Sequence, residues 1–243
     1  MGDAKRGRRR WGIFARPASP DRISVLWLGI VLAAAPTWAD APEVLPSAPI
    51  MPLGGEDDRP TTAWKQFCTR LPAECAIDPS EPETFTLTAA NWALIKSINL
   101  RVNETIEQVT DQVHWGVNDR WDYPDDGKGD CEDIQLLKRK LLAAAGLPRR
   151  AMRMTVVIDS KDAGHAVLTV RTDRGDFILD NETDSVLPWD KTGYEFIKRE
   201  GAEGMAWIAL GGEQTRIVVA SRSVSRRIGP RHRTAMRRTS RPR

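Results

Sequence analysis

The chain predicts an α+β fold in one domain, with N-terminal helices packed on an antiparallel β-sheet. The period of its apolar residues carries that prediction. Up to about residue 145 they recur at helical spacing, and beyond residue 150 they recur at every second position. Gly146 and Pro148 separate the two regimes in the order that ends a helix. Helical runs followed by strand runs, with no internal repeat, place helices on one face of an antiparallel sheet.

The elements follow in order. Seven basic residues (Lys5, Arg6, Arg8, Arg9, Arg10, Arg16 and Arg22) precede the apolar run Ile23 to Ala35 and a small-residue site, Thr37-Trp38-Ala39. This pattern predicts a signal peptide over 1–39 and a periplasmic protein, with cleavage after Ala39 because cutting after Ala41 would leave Pro42 in the second position. The apolar run is about 13 residues against the roughly 20 of a spanning helix, and an uncleaved anchor is the alternative. Five prolines and several acids over 40–60 read as a disordered linker. The folded domain is expected over 61–221. Thr62 to Arg70 forms a short helix carrying Trp64 and Phe67, closed by Leu71-Pro72. Thr88 caps a long helix bearing Trp92, Ile95, Ile98, Leu100, Val102, Ile106 and Val109. Asp111 to Lys128 is loop-like, its Asp119, Asp122, Asp125 and Asp126 interleaved with Trp115, Trp121 and Tyr123. A second helix runs from about Cys131 to Ala145 with Ile134, Leu137, Leu141 and Leu142 inward. Strands follow at Met152 to Ile158, at Ala166 to Val170 and Phe177 to Leu179 around an Asp173-Arg174-Gly175 turn, at Met205 to Leu210 and at Ile217 to Val219. Residues 222–243 read as a disordered basic tail.

The formal charge of +3 hides a segregation. Residues 1–39 hold seven Lys/Arg against two acids and 222–243 hold nine Arg and no acid, which leaves 20 basic and 31 acidic residues in 40–221. The body is acidic, and an exported acidic domain is a poor nucleic-acid partner.

Of three cysteines, Cys68 and Cys75 lie seven apart around Pro72 and can close a disulfide in an oxidising compartment. Cys131 is left over, inside Gly129-Asp-Cys-Glu-Asp133. Flanking carboxylates raise a thiol's pKa, whereas a nucleophile needs it lowered. The thiol is therefore either inert or held in a site that supplies positive charge and a base. Three His narrow the choice of base. His232 lies in the tail, His114 has the surroundings of a surface imidazole, and His165 opens a strand between small neighbours. Asp180 ends the next strand of the same hairpin. With an even number of residues at the tip, His165 and Asp180 share a face; a three-residue tip would separate them. Cys131 at a helix start feels the positive end of the dipole, and its own N–H can serve a developing oxyanion. Each residue alone has an ordinary structural role. Helix-start Cys, strand His and next-strand Asp in that order form a nucleophile, base and orienter set.

The stretches Trp64 to Cys68, Gly129 to Asp133, Lys138 to Pro148, Gly164 to Leu168 and Arg174 to Asn181, with Pro188-Trp189 and Gly193-Tyr194, resemble the transglutaminase-like cysteine peptidases. Within these the chain is similar to the bacterial periplasmic branch that includes the calcium-dependent protease releasing biofilm adhesins. The resemblance spans roughly 62–210. It implies a papain/transglutaminase-like domain and an exported cysteine endopeptidase with Cys131 as nucleophile, His165 as base and Asp180 as orienter. Asn181 and an indole N–H from Trp115 or Trp121 are the assisting donors it leaves to consider. Dense carboxylates suit Ca²⁺, although acids at a helix start need no metal. The resemblance points to Asp130 and Glu132, with Asp133 beside them, as calcium ligands. It further implies a protein substrate such as a large surface adhesin, a possible inner-membrane regulatory receptor and a monomer. An acyltransferase, or a non-catalytic calcium-sensing peptide-binding module, is the competing expectation.

Overall fold

The structure is a computed structural model and describes residues 44–54, 57–203 and 205–210. The expected signal peptide, the strand at Ile217 to Val219 and the basic tail lie outside the described residues. The described residues belong to one unit, Pro42–Arg243.

Helices come first, as the apolar period predicts. Between a two-residue strand β1 (Asp57–Asp58) and the sheet proper stand α1 (Thr62–Arg70), α2 (Pro72–Cys75), α3 (Ala89–Thr105), the single turn α4 (Asp111–His114) and α5 (Cys131–Ala144). Thr61 and Thr88 cap α1 and α3, their hydroxyls accepting from the N–H groups of Trp64 and Asn91 at 3.1 Å each. The predicted loop over 111–128 is more ordered than its composition implies. It contains α4, and its last residue enters a parallel pair of short strands, β2 (Glu107–Gln108) and β3 (Lys128–Gly129). That pair ties the end of α3 to the residue before Asp130.

The sheet then runs β4 (Met152–Ile158), β5 (Gly164–Thr172), β6 (Gly175–Leu179), β7 (Leu187–Pro188), β8 (Glu195–Glu200) and β9 (Trp207–Ala209). Its seven strands are antiparallel in the order β1-β9-β8-β4-β5-β6-β7. The strands at 187–188 and 195–200 have no counterpart in the apolar pattern. In β8 the reason is visible: Arg199 and Glu200 are buried as ion-pair members, so charge hides the alternation.

Both faces of the sheet are covered. Met152, Met154, Leu168, Val170, Phe177 and Leu179 pack against Trp64, Phe67, Ile95, Ile98 and Ile134 of the helices. Alternate residues Val157, Val167 and Ile178 pack on the other side with Trp189, Phe196, Leu210 and Met51. Met51 belongs to the stretch expected to be a disordered linker, and that expectation fails for 44–54. Ala48 N–H donates to Arg174 O at 2.8 Å, Gly54 N–H to Ala209 O at 2.8 Å and Met51 N–H to the Asp176 carboxylate at 2.9 Å. Prolines remove donors but keep acceptors: Pro49 O accepts from Asp176 N–H at 3.2 Å and from the Trp189 indole at 3.0 Å. Gly175, at φ +106°, lies where a Cβ would collide with Ala48 O, so the hairpin turn and this strap fit only around glycine.

Candidate active site

The site is assembled where α5 begins and β5 and β6 meet. Asp130 holds an extended conformation at the helix N-cap, but its side chain caps nothing in α5. Its Oδ2 accepts from the Asp111 N–H at 3.1 Å instead. Cys131 is the first residue of α5 and is half-buried. Its Sγ–H donates to Glu132 Oε2 at 3.1 Å, and the Ala166 N–H is directed at the sulfur. Ala166 follows His165 in β5, so the helix start rests against the strand that carries the imidazole. Burial pushes the thiol well up, the Glu132 charge adds to that, and the Ala166 N–H opposes it.

The β5–β6 hairpin turns on two residues, with Thr172 opposite Gly175 and Leu168 opposite Leu179. The tip is therefore even. His165 and Asp180 fall on one face and meet, Nε2 to Oδ1 at 2.8 Å. With Nε2 on the carboxylate, Nδ1 is the nitrogen left for a thiol. Asp180 Oδ1 also accepts from the Glu182 N–H at 3.1 Å, and Oδ2 accepts from the Tyr194 hydroxyl at 2.5 Å. Burial raises Asp180, but donation from His165, the His165 charge, Tyr194 and Glu182 outweigh it and hold the carboxyl below its ordinary value. Beneath, the Asp180 carbonyl accepts from Lys138 Nζ at 2.8 Å and Asn103 Nδ2 at 3.0 Å.

The acidic residues around the helix start fall into two groups. Asp111, Asp119 and Glu132 each bring a carboxylate oxygen within 4.8 Å of the others, as do Asp111, Asp130 and Asp133. Asp130, Glu132 and Asp133, expected as ligands, thus lie in two overlapping sets joined by Asp111. Asp111 and Asp119 escape a reading confined to the helix start, because the β2–β3 ribbon carries their loop back to it. The loop's N–H groups already engage part of the acids, Asp122 N–H donating to Asp133 Oδ1 at 2.7 Å and Arg120 N–H to Asp111. Gly129 is small enough to let this happen: a Cβ there would stand 2.7 Å from Asp133 Cβ. Burial, then the neighbouring Asp130, push Glu132 up to about 9. Burial, with the Asp130 and Asp111 charges added, pushes Asp133 up to about 8 against the Asp122 N–H. Asp111 and Asp119 are raised too, by burial first. Asp130 Oδ1 is buried with no hydrogen-bond partner among the described residues. An orphaned carboxylate oxygen among acids that burial keeps from ionising fits a cation-binding site of hard oxygen donors.

The remaining expected residues are placed as follows. Cys68 and Cys75 form a disulfide joining α1 to α2. Asn181 binds α5 and β2, accepting from Gln135 at 3.2 Å and donating to Gln108 at 3.0 Å. Trp121 is a core residue whose indole N–H donates to Asp119 Oδ1 at 3.1 Å. Trp115 is exposed, its ring tilted against His114 with centroids 3.9 Å apart and 4.4 Å from the Arg120 guanidinium. His114 pairs with Asp126 at 2.8 Å. Tyr194 was legible only as part of Gly193-Tyr194, since a phenol's reach to a carboxylate leaves no mark on spacing.

The family of bacterial transglutaminase-like cysteine proteinases matches residues 54–215. No curated protein matches the chain. Among solved structures, Legionella pneumophila LapG is 24% identical over 56% of this chain and 78% of its own, with a TM-score of 0.43. Its EGTA-treated form is 26% identical over 49% and 67%, with a TM-score of 0.43. Its calcium-bound form is 23% identical over 54% and 80%, also with a TM-score of 0.43.

Proposed function

The chain belongs to the bacterial transglutaminase-like cysteine proteinases, and from that premise we propose that it is a periplasmic endopeptidase working through Cys131, His165 and Asp180. The contact that carries the reading is His165 Nε2 on Asp180 Oδ1 at 2.8 Å, in a strand whose next N–H is directed at the Cys131 sulfur. His165 Nδ1 takes the thiol proton, and Asp180 keeps the Nε2–H in place and stabilises the imidazolium. The thiolate attacks a peptide carbonyl, and the Cys131 N–H at the helix start faces the developing oxyanion. His165 returns its proton to the leaving amine, which departs and leaves a thioester on Cys131. Water then gives a proton to His165 and attacks the thioester, releasing the acid and restoring the thiol. With the Trp121 N–H donated to Asp119, the Cys131 N–H is the oxyanion donor we assign.

We assign Asp111, Asp119, Asp130, Glu132 and Asp133 to a calcium site. Bound calcium would supply there the positive charge that the buried acids lack. Glu132, the present acceptor of the thiol, belongs to this set, so its engagement bears directly on whether Cys131 faces His165. The proposed substrate is a large surface adhesin. We further propose that residues 1–39 are an export signal; no helix among the described residues is long and apolar enough to cross a membrane. A monomer regulated by an inner-membrane receptor completes the proposal.

The test incubates the purified protein with an N-terminal adhesin fragment, with calcium or with chelator, as wild type and as Cys131→Ala. Wild type with calcium should cleave, and Cys131→Ala should lose about 10⁴-fold or more. Cleavage by Cys131→Ala would remove the nucleophile assignment, and cleavage unaffected by chelator would remove the calcium assignment. Incorporation of an added amine without cleavage would make the protein an acyltransferase.

A further inference from the structure

Asp180 does not face His165 alone. Its Oδ1 carries the His165 and Glu182 donors, while Oδ2 carries the hydroxyl of Tyr194, a residue 14 positions further on. The Tyr194 ring stands edge-on to the His165 ring, centroids 5.7 Å apart at 78°. Tyr194 follows Gly193, whose φ of +83° turns the chain just before β8. Its N–H donates to Thr192 Oγ1 at 3.3 Å. One side chain thus fixes the rotation of the carboxylate and borders the imidazole that the carboxylate orients. We propose that Tyr194 is a positioning residue for the reaction, locking the Asp180 carboxylate against His165 and moderating its basicity. The proposal rests on the Cys131, His165 and Asp180 reading above.

A phenol donating to Oδ2 shares the carboxylate's negative charge, so Asp180 grips the His165 proton less tightly than a free carboxylate would. Burial, then the Asp180 hydrogen bond, push the Tyr194 hydroxyl far up, so it remains a donor throughout the neutral range. Other charges facing this cluster are Lys138 from α5, Glu182 and Asp184 from the turn after β6, and Asp159 and Lys161 from the β4–β5 connection. Cys131 and Glu132 face it from the start of α5. None of them is altered by Tyr194→Phe, which removes one oxygen and keeps the ring against His165.

The experiment needs no natural substrate. The rate of Cys131 alkylation by iodoacetamide is followed against pH in the full chain with calcium, for wild type and Tyr194→Phe, alongside each protein's melting temperature. Wild type should show two inflections, the signature of a thiol coupled to a base. In Tyr194→Phe the upper inflection should move up by about one pH unit, the size expected for losing a hydrogen bond to a charged group. An upper inflection unmoved in Tyr194→Phe overturns the proposal, and a lower melting temperature beside it makes Tyr194 a packing residue. A single ordinary thiol inflection in wild type overturns the nucleophile and base pairing itself, and Tyr194's role with it.

Discussion

The two halves of α5 bury charge in opposite ways. At its start, Glu132 and Asp133 join Asp111, Asp119 and Asp130 in a set whose carboxylates crowd one another and leave Asp130 Oδ1 without a partner among the described residues. One to two turns later, Lys138 and Arg139 are buried just as deeply, yet both are matched. Arg139 pairs with Glu200 at 2.6 Å, and the same Glu200 oxygen accepts from Met154 N–H at 2.7 Å. Lys138 donates to Asn99 Oδ1 and to the Asp180 carbonyl, each at 2.8 Å. The second half finds its acceptors within the chain, although Arg139 Nη2 has no hydrogen-bond partner among the described residues, whereas the first half is deficient in positive charge. A completed charge set fixes a structure, and an incomplete one makes the structure depend on what is supplied from outside.

The largest effect should come from breaking the completed half. Arg139→Met removes the closest cation from buried Glu200, leaving it the Met154 N–H, Arg149 at 3.7 Å and the charge of Arg153, and should destabilise the fold by about 3–5 kcal/mol in urea unfolding. A loss under about 1 kcal/mol would mean that the pair contributes little and the contrast between the halves is false. Next in size is the response of the incomplete half. Saturating calcium should raise the melting temperature of wild type, corresponding to about 3 kcal/mol at a hundredfold excess over Kd, and chelator should reverse it. Asp130→Asn should abolish that rise, and an undiminished rise would move the ion elsewhere.

The smallest effect concerns Lys138, which burial pushes down to about 7 despite the Asp180 and Asp184 charges. Between that value and the ordinary lysine value the unfolded chain holds a proton that the folded chain has released. Stability should therefore rise with pH across pH 7 to 10, by roughly 1 kcal/mol per unit. Lys138→Met should remove that component, read as the difference between the two proteins' unfolding curves. Parallel pH dependences would mean that Lys138 stays charged in the fold.

Much of the helical half could be read from sequence because its signals are local. Thr88 caps α3, Gly146 follows α5, and a two-residue turn sets the parity that brings His165 to Asp180. What escaped depends on partners distant in sequence. Asp111 and Asp119 reach the nucleophile's helix only through the β2–β3 ribbon. The strand β8 carries buried Arg199 and Glu200 where an apolar alternation would be sought. The proline-rich stretch before residue 55 binds through a few backbone hydrogen bonds and a single deep methionine, so its composition imitates a linker.

That stretch has a practical consequence for where the domain begins. A recombinant version started at residue 61, where the first helix opens, would lack Met51 and the Pro49 carbonyl that meets Asp176 and Trp189. Val157, Val167 and Ile178 would lose part of their cover on the face away from the helices. An apolar sheet face laid open in this way invites self-association between copies. Soluble material for every measurement above therefore needs the chain from before residue 44, even though no residue of that strap touches the chemistry.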